Sequence, residues 1–245
     1  MSRSSDRDQI YSASHGEPGG FTFDERVADV FSDMIERSVP GYASVIGMTA
    51  VLATQYVEPH SYCYDLGCSL GATSLSIQQG IEAEGCHIVA VDNSIPMIEK
   101  AQQHLNHSTG ETPIALVCAD IQDIEISNAS LVTLNFTLQF IPVEQRLPLL
   151  QTIYQGLNPQ GILILSEKIA FENPEEERLQ MEMHHAFKRA NGYNDLEISR
   201  KRSALDNVLI PETLAAHKQR LKEAGFNRAH LWFQCFNFVS LVAHK

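Results

Sequence analysis

Positive charge is scarce in this chain: 18 lysines and arginines stand against 30 aspartates and glutamates, a formal net charge of -12 over 245 residues. A protein that grips a nucleic-acid backbone normally carries a basic face to displace counterions, so direct binding of RNA or DNA is not expected. Cysteine is sparse as well. Cys63, Cys68, Cys86, Cys118 and Cys235 are odd in number and form no C-x-x-C pair, and four lie in or beside apolar runs. They read as reduced, packed thiols, and no metal site is expected. His184 and His185 are adjacent, which sets them about 100° apart on a helix, unlike an i, i+4 metal-binding pair. No span approaches transmembrane length, and no internal repeat stands out. Residues 1–20, rich in serine, glycine and mixed charge, lack the apolar core of a secretion signal. A cytoplasmic protein with a mobile N-terminal arm over 1–20 is the expectation.

What is present centres on Tyr64-Asp65-Leu66-Gly67-Cys68-Ser69-Leu70-Gly71. The short run Ser61 to Leu66 is rich in β-formers, and Ala72 to Ile81 repeats its apolar residues at helical spacing, so the glycines sit in a strand-to-helix turn. Dinucleotide sites want G-x-G-x-x-G, in which the second glycine lets the backbone approach a pyrophosphate. Ser69 occupies that place here, which disfavours NAD and FAD. An adenosine ligand without a pyrophosphate fits better, its smaller anionic group meeting N–H groups at the helix start. S-adenosylmethionine (SAM) is the obvious candidate; the alternative is a tight turn in an unrelated α/β protein.

The next strand, Cys86 to Val91, ends on Asp92-Asn93-Ser94. An acid about 20 residues beyond a glycine turn can accept hydrogen bonds from both ribose hydroxyls. Asp92 follows Gly67 by 25 residues, and it could instead cap the helix over Pro96 to Asn106, as could Ser94. Further strands are expected at Ile114 to Cys118, before Asp120 and Ile121, at Ser130 to Phe136, which includes Asn135, and at Gly161 to Ser166. A helix over Val143 to Leu157 continues the alternation of a parallel, doubly wound sheet. Two closely spaced apolar runs, Phe226 to Phe233 and Phe236 to Ala243, suggest a terminal hairpin. The fold class is therefore α/β, a seven-stranded, mostly parallel sheet resembling the class I SAM-dependent methyltransferase type, with a C-terminal antiparallel hairpin and added helices. Its parts are the arm at 1–20, a helical cap at 21–60, and a SAM-binding domain at 61–245 with a helical insertion at about 174–207.

Within that insertion, Lys188-Arg189 and Arg200-Lys201-Arg202 put five cations within fifteen residues. They form either a solvated helix surface, with Asp195, Glu197 and Asp206 nearby, or a lid presenting guanidinium groups to a small anion.

Phe23 to Phe31, Ser38 to Tyr42, Tyr64 to Gly71 and the run Leu134-Asn-Phe-Thr-Leu-Gln-Phe140 together resemble the bacterial carboxy-S-adenosyl-L-methionine synthases. So do Tyr154 to Pro159, Leu165 to Lys168, His184 to Tyr193, Glu197 to Ser203 and Leu231 to Phe238. The resemblance runs from about residue 21 to the end. It implies an enzyme that moves a carboxyl group from prephenate to the SAM methyl, giving carboxy-SAM and phenylpyruvate. The product would pass to a partner that carboxymethylates a wobble uridine of tRNA, so a tRNA pathway is compatible with an acidic protein that handles only small molecules. Also implied are a homodimer, no membrane and no metal. By the same resemblance Gly67, Cys68 and Ser69 meet the methionine part of SAM, Asp92 and Asn93 the ribose, and Asp120 and Ile121 the adenine. Asn135 lines the sulfonium end and Tyr42 closes the site. Arg202 is the implied catalytic residue, pairing with the new carboxylate. The alternatives are a conventional small-molecule methyltransferase and a non-catalytic SAM-binding protein; Asn135-Phe136-Thr137-Leu138 is not the Asn-Pro-Pro-Tyr type of amino methylation.

Overall fold

The structure, a computed structural model, describes residues 7–12 and 21–245. Two helices, α1 (Glu25–Ser38) and α2 (Tyr42–Tyr56), occupy the expected cap. The alternating body follows as β1 (Tyr62–Leu66), α3 (Ala72–Gly80), β2 (His87–Asp92), α4 (Ile95–Leu105), β3 (Ile114–Cys118), β4 (Ala129–Asn135), α5 (Val143–Gly156) and β5 (Leu157–Ala170). The insertion is two helices, α6 (Pro174–Ala190) and α7 (Asp195–Leu205). The chain then forms β6 (Glu212–Thr213), α8 (Leu214–Ala224), β7 (Arg228–Cys235) and β8 (Phe238–His244).

The sheet order is β3-β2-β1-β4-β5-β8-β7, with β8 antiparallel to both neighbours. This is the expected seven-strand path with its closing hairpin. The two-residue β6 adds an eighth strand off that path, pairing with the end of β5. Both sheet faces are covered, as parallel strands require. Leu66, Val132, Leu134, Leu163 and Leu165 pack with Leu150 and Ile153 of α5, while Cys63, Ile88, Leu131, Ile162 and Ile164 pack with Ala53 of α2 and Ile77 of α3.

β5 runs further than its apolar stretch predicts. Pairing with β8 continues to Lys168, opposite Phe238, and Ile169 and Ala170 pair with β6. Backbone partners on both sides keep the strand extended after the side chains turn polar, which carries Glu167 and Lys168 past the expected end at Ser166. In the insertion, Gly192 at φ 85° separates α6 from α7, and Asn194 and Glu197 form a reciprocal capping box that starts α7.

The arm makes contacts with the body over its described part, residues 7–12. Asp8 is 2% exposed, its N–H donates to Asp33 at 2.8 Å, and its carboxylate accepts from the Tyr193 hydroxyl and pairs with Lys201 at 3.5 Å. Asp8 thus packs against α1 and α7, because a buried carboxylate needs partners. The rest of the expected arm lies outside the described residues.

Candidate active site

In an open α/β sheet the ligand crevice lies beyond the carboxyl ends of the strands where the order reverses, here between β1 and β4. A cavity of about 470 Å³ opens there. Tyr42, Gly67, Cys68, Ser69, Asp92, Asn93, Asp120, Ile121 and Asn135 all line it, so nine of the ten candidate residues meet in one place. The tenth, Arg202, is exposed on α7 and is not part of the lining.

Close backbone geometry makes the turn. Gly67 has φ 81°, and a Cβ there would sit 2.4 Å from Thr137 Oγ1, so only glycine brings the turn after β1 this near Thr137, two residues past β4. Ser69, at φ 48°, donates its N–H to Asp92 Oδ2 at 2.9 Å. Ser94 N–H donates to the other oxygen, also at 2.9 Å. Asp92 therefore braces the glycine turn, and the open question over the α4 cap resolves to Ser94, whose Oγ accepts Met97 N–H at 3.3 Å. Burial raises the Asp92 pKa, against the pull of those two backbone hydrogen bonds. Asn93 Nδ2 donates to Asp120 Oδ1 at 2.9 Å and ties the ends of β2 and β3 together. Asn135 donates to Thr73 Oγ1 at 3.2 Å and accepts from Ser166 Oγ at 2.7 Å, which fixes its amide at the end of β4.

Beneath the turn lies Asp65, which accepts from Ser74 Oγ at 2.6 Å and Thr133 Oγ1 at 2.8 Å, joining β1 to α3 and β4. Burial pushes its pKa up to about 6. The loop after β4 is pinned in the same manner. Fully buried Arg146 donates to the carbonyls of Gln139, Ile141 and Ile210 and pairs with Glu212, while Glu167 accepts Leu138 N–H at 3.0 Å. The carbonyl acceptors and charge partners offset the desolvation of the guanidinium.

Two groups of lining residues were not among the individually assigned site residues. Phe23 of the segment before α1 meets Phe140 edge-on at 5.3 Å and Phe21 at 5.0 Å, and with Phe31 they make an apolar wall. The second group is Lys168, Lys188 and Lys201, with His184. Both adjacent-cation runs split in the structure. Lys188 and Lys201 are buried in the cavity wall, whereas Arg189 and Arg202 are exposed, Arg189 pairing with Asp195 at 3.0 Å. The cations that α6 and α7 turn to the cavity are thus lysines, not guanidinium groups, because neighbours on a helix point about 100° apart and only one can face inward. Burial lowers the Lys188 pKa to about 7, helped by Lys201 and Lys168, and burial lowers Lys201 to about 8 although Asp8 opposes it. The charge of Arg202 still reaches Lys168, whose pKa burial also lowers.

A methyltransferase-domain family model matches residues 64–161, the stretch from the glycine turn to β5. A carboxy-S-adenosyl-L-methionine synthase of Trichlorobacter lovleyi is 61% identical over 239 residues, covering 97% of this chain and 98% of the relative. The synthase of Erwinia tasmaniensis is 55% identical over 241 residues, with 98% of each chain covered. The chain belongs to the carboxy-S-adenosyl-L-methionine synthase family. As a carboxy-SAM synthase family member it is an enzyme on a methyltransferase fold. Solved structures agree on that fold. Human N-acetylserotonin methyltransferase in complex with SAM, 18% identical, covers 90% of this chain and 55% of its own at a TM-score of 0.61. A SAM-dependent methyltransferase from Methanococcus maripaludis, 20% identical, covers 93% and 95% at 0.59. Among the described residues, no helix is long and apolar enough to cross a membrane, and no cluster of His, Cys, Asp and Glu could hold a metal ion.

Proposed function

We propose that the enzyme moves the ring carboxyl of prephenate onto the sulfonium methyl of SAM, releasing carboxy-SAM and phenylpyruvate. The observation that carries this reading is the convergence of nine residues with implied SAM roles on one cavity, in a chain whose relatives are carboxy-SAM synthases over nearly their whole length. The donor set suits an adenosine. Asp92 and Asp120 offer carboxylate lone pairs to ribose and adenine donors, Ile121 an apolar face, Gly67 to Ser69 close backbone for the methionine part, and Asn135 a fixed amide near the sulfonium. Tyr42, the first residue of α2 and beside Phe136, closes the site.

A methyl group on a cationic sulfur is acidic because the positive charge stabilises the ylide carbanion. Loss of carboxyl and hydroxide makes the prephenate ring aromatic; the hydroxide takes the methyl proton to become water, and the carbanion attacks the carbon dioxide. The protein's task is to hold both reactants together and exclude water, which the buried aromatic wall serves. Arg202, exposed beside Lys168, is assigned to the new carboxylate in the site of a second copy of a homodimer, since it stands outside the lining of its own cavity. The product would serve a cytoplasmic tRNA carboxymethyltransferase acting on wobble uridine. The expected result is that protein purified from cells and denatured releases carboxy-SAM, read by mass spectrometry. Release of SAM or S-adenosylhomocysteine alone would favour a conventional methyltransferase.

A further inference from the structure

The part of the cavity left over by SAM has its own chemistry. Adenine, ribose and methionine groups assigned to β3, β2 and β1 place the cofactor along one side of the sheet, so the free space lies beyond β4 and β5. That end is cationic. Lys168 comes from the extended end of β5, His184 and Lys188 lie four residues apart on one face of α6, and Lys201 comes from α7. His184 Nε2–H donates to the Ser38 carbonyl at 2.8 Å, and its ring meets Phe238 edge-on at 4.9 Å; burial and Lys188 keep it neutral.

Lys201 is neutralised internally, by Asp8 at 3.5 Å, and donates to Ser38 Oγ at 2.9 Å. The ammonium groups of buried Lys188 and half-buried Lys168 make no hydrogen bond or ion pair among the described residues, although the Lys168 backbone N–H donates to Gln139 Oε1 at 3.0 Å. Ammonium groups removed from water and left unpaired are costly, and like charges around one chamber raise that cost. A cluster kept in this state is one an incoming anion completes. Asp8 offsets Lys201, which leaves Lys168, with Glu177 and Asp206 acting on it through space, and Lys188 as the two ammonium groups turned toward an incoming anion, a pair that suits two carboxylates.

We propose that Lys168 and Lys188 form the subsite that recognises the second substrate through its carboxylates, and that this pair selects a small dicarboxylate over a monocarboxylate. Lys201, held by Asp8, forms its back wall. The inference rests on the carboxyl-transfer reading for the identity of the dianion, though not for its charge.

The test uses Lys168→Met, Lys188→Met, the double variant and the charge-preserving Lys188→Arg. Prephenate is titrated calorimetrically into each protein loaded with S-adenosylhomocysteine, so that nothing turns over, and SAM is titrated separately. Each single methionine variant is expected to weaken prephenate at least tenfold and the double variant more than a hundredfold. Lys188→Arg should stay within a few fold, and SAM affinity within twofold throughout. The melting temperature should rise in the methionine variants, because an unpaired buried charge is replaced by an apolar side chain of similar length; a purely structural lysine would give the reverse. Prephenate affinity within twofold of wild type in the double variant would overturn the proposal. If the wild-type protein neither binds nor converts prephenate, the carboxyl-transfer reading falls and the subsite is judged with succinate against butyrate. Succinate binding that is preferred over butyrate and weakened tenfold by Lys188→Met sustains it. Absence of succinate binding, or binding indifferent to the lysines, overturns it.

Discussion

Gly67→Ala should abolish measurable SAM binding while leaving a folded, less stable protein. The residue holds φ 81°, a left-handed conformation that costs an L-residue about 1–2 kcal/mol. The new methyl group would also lie 2.4 Å from Thr137 Oγ1 and 2.5 Å from its Cγ2, an overlap of the kind that costs about 1–3 kcal/mol to relieve. Together these predict a melting temperature roughly 5–15 °C lower for a domain of this size. Binding suffers more than stability because either relaxation, of the turn or of Thr137, moves backbone that lines the cavity. Calorimetry with SAM checks the first effect and thermal denaturation the second. The double variant Gly67→Ala/Thr137→Ala should recover part of the stability, since it removes the overlapping atoms but not the φ strain. Full recovery, or none, would show that the contact has been assigned the wrong share.

Asp92→Asn should reduce SAM affinity by about a hundredfold or more with only a small loss of stability. The carboxylate accepts N–H groups from Ser69 and Ser94 at 2.9 Å each, and an amide can replace only one of those acceptors. Hydrogen bonds to a charged group contribute about 1.5–3 kcal/mol each, so losing one bond to the turn and one to the ribose corresponds to about two or more orders of magnitude in affinity. The larger share should appear in ligand binding because the half-buried side chain faces the cavity from the end of β2. An Asp92→Asn protein that binds SAM within threefold of wild type would show that the residue serves only to brace Ser69.

What was legible in the sequence follows from range. The turn at Gly67 to Gly71, Asp92 and Asp120 depends on residues close in the chain, and apolar runs ending in polar residues mark the carboxyl ends of the strands, where a doubly wound sheet puts its ligands. The competition between Asp92 and Ser94 for the α4 cap could not be settled by spacing, because either could serve a helix starting near Pro96. The structure gives Ser94 the cap and Asp92 the turn. The cation subsite was hidden for a different reason. Lys168 lies on strand backbone that continues only because β8 and β6 pair with it, and hydrophobicity carries no trace of that. Lys188 beside Arg189, and Lys201 between Arg200 and Arg202, look equivalent in composition. Which cation turns inward is fixed by the docking of α6 and α7 over the sheet, with Tyr193 and the seated Asp8 between them. Net charge is silent on such placement, since a chain of net charge -12 still turns Lys168, Lys188 and Lys201 to one cavity.

The central claim, that this site makes a new carboxyl donor from SAM and prephenate, is tested most directly by following the carboxyl carbon. The wild-type enzyme is incubated with SAM and prephenate carrying carbon-13 in the ring carboxyl, and the nucleoside pool and the keto acid are analysed by mass spectrometry. The account predicts carboxy-SAM with the label in its new carboxylate, in equal amount to phenylpyruvate. SAM recovered unchanged, or carboxy-SAM without the label, would contradict it.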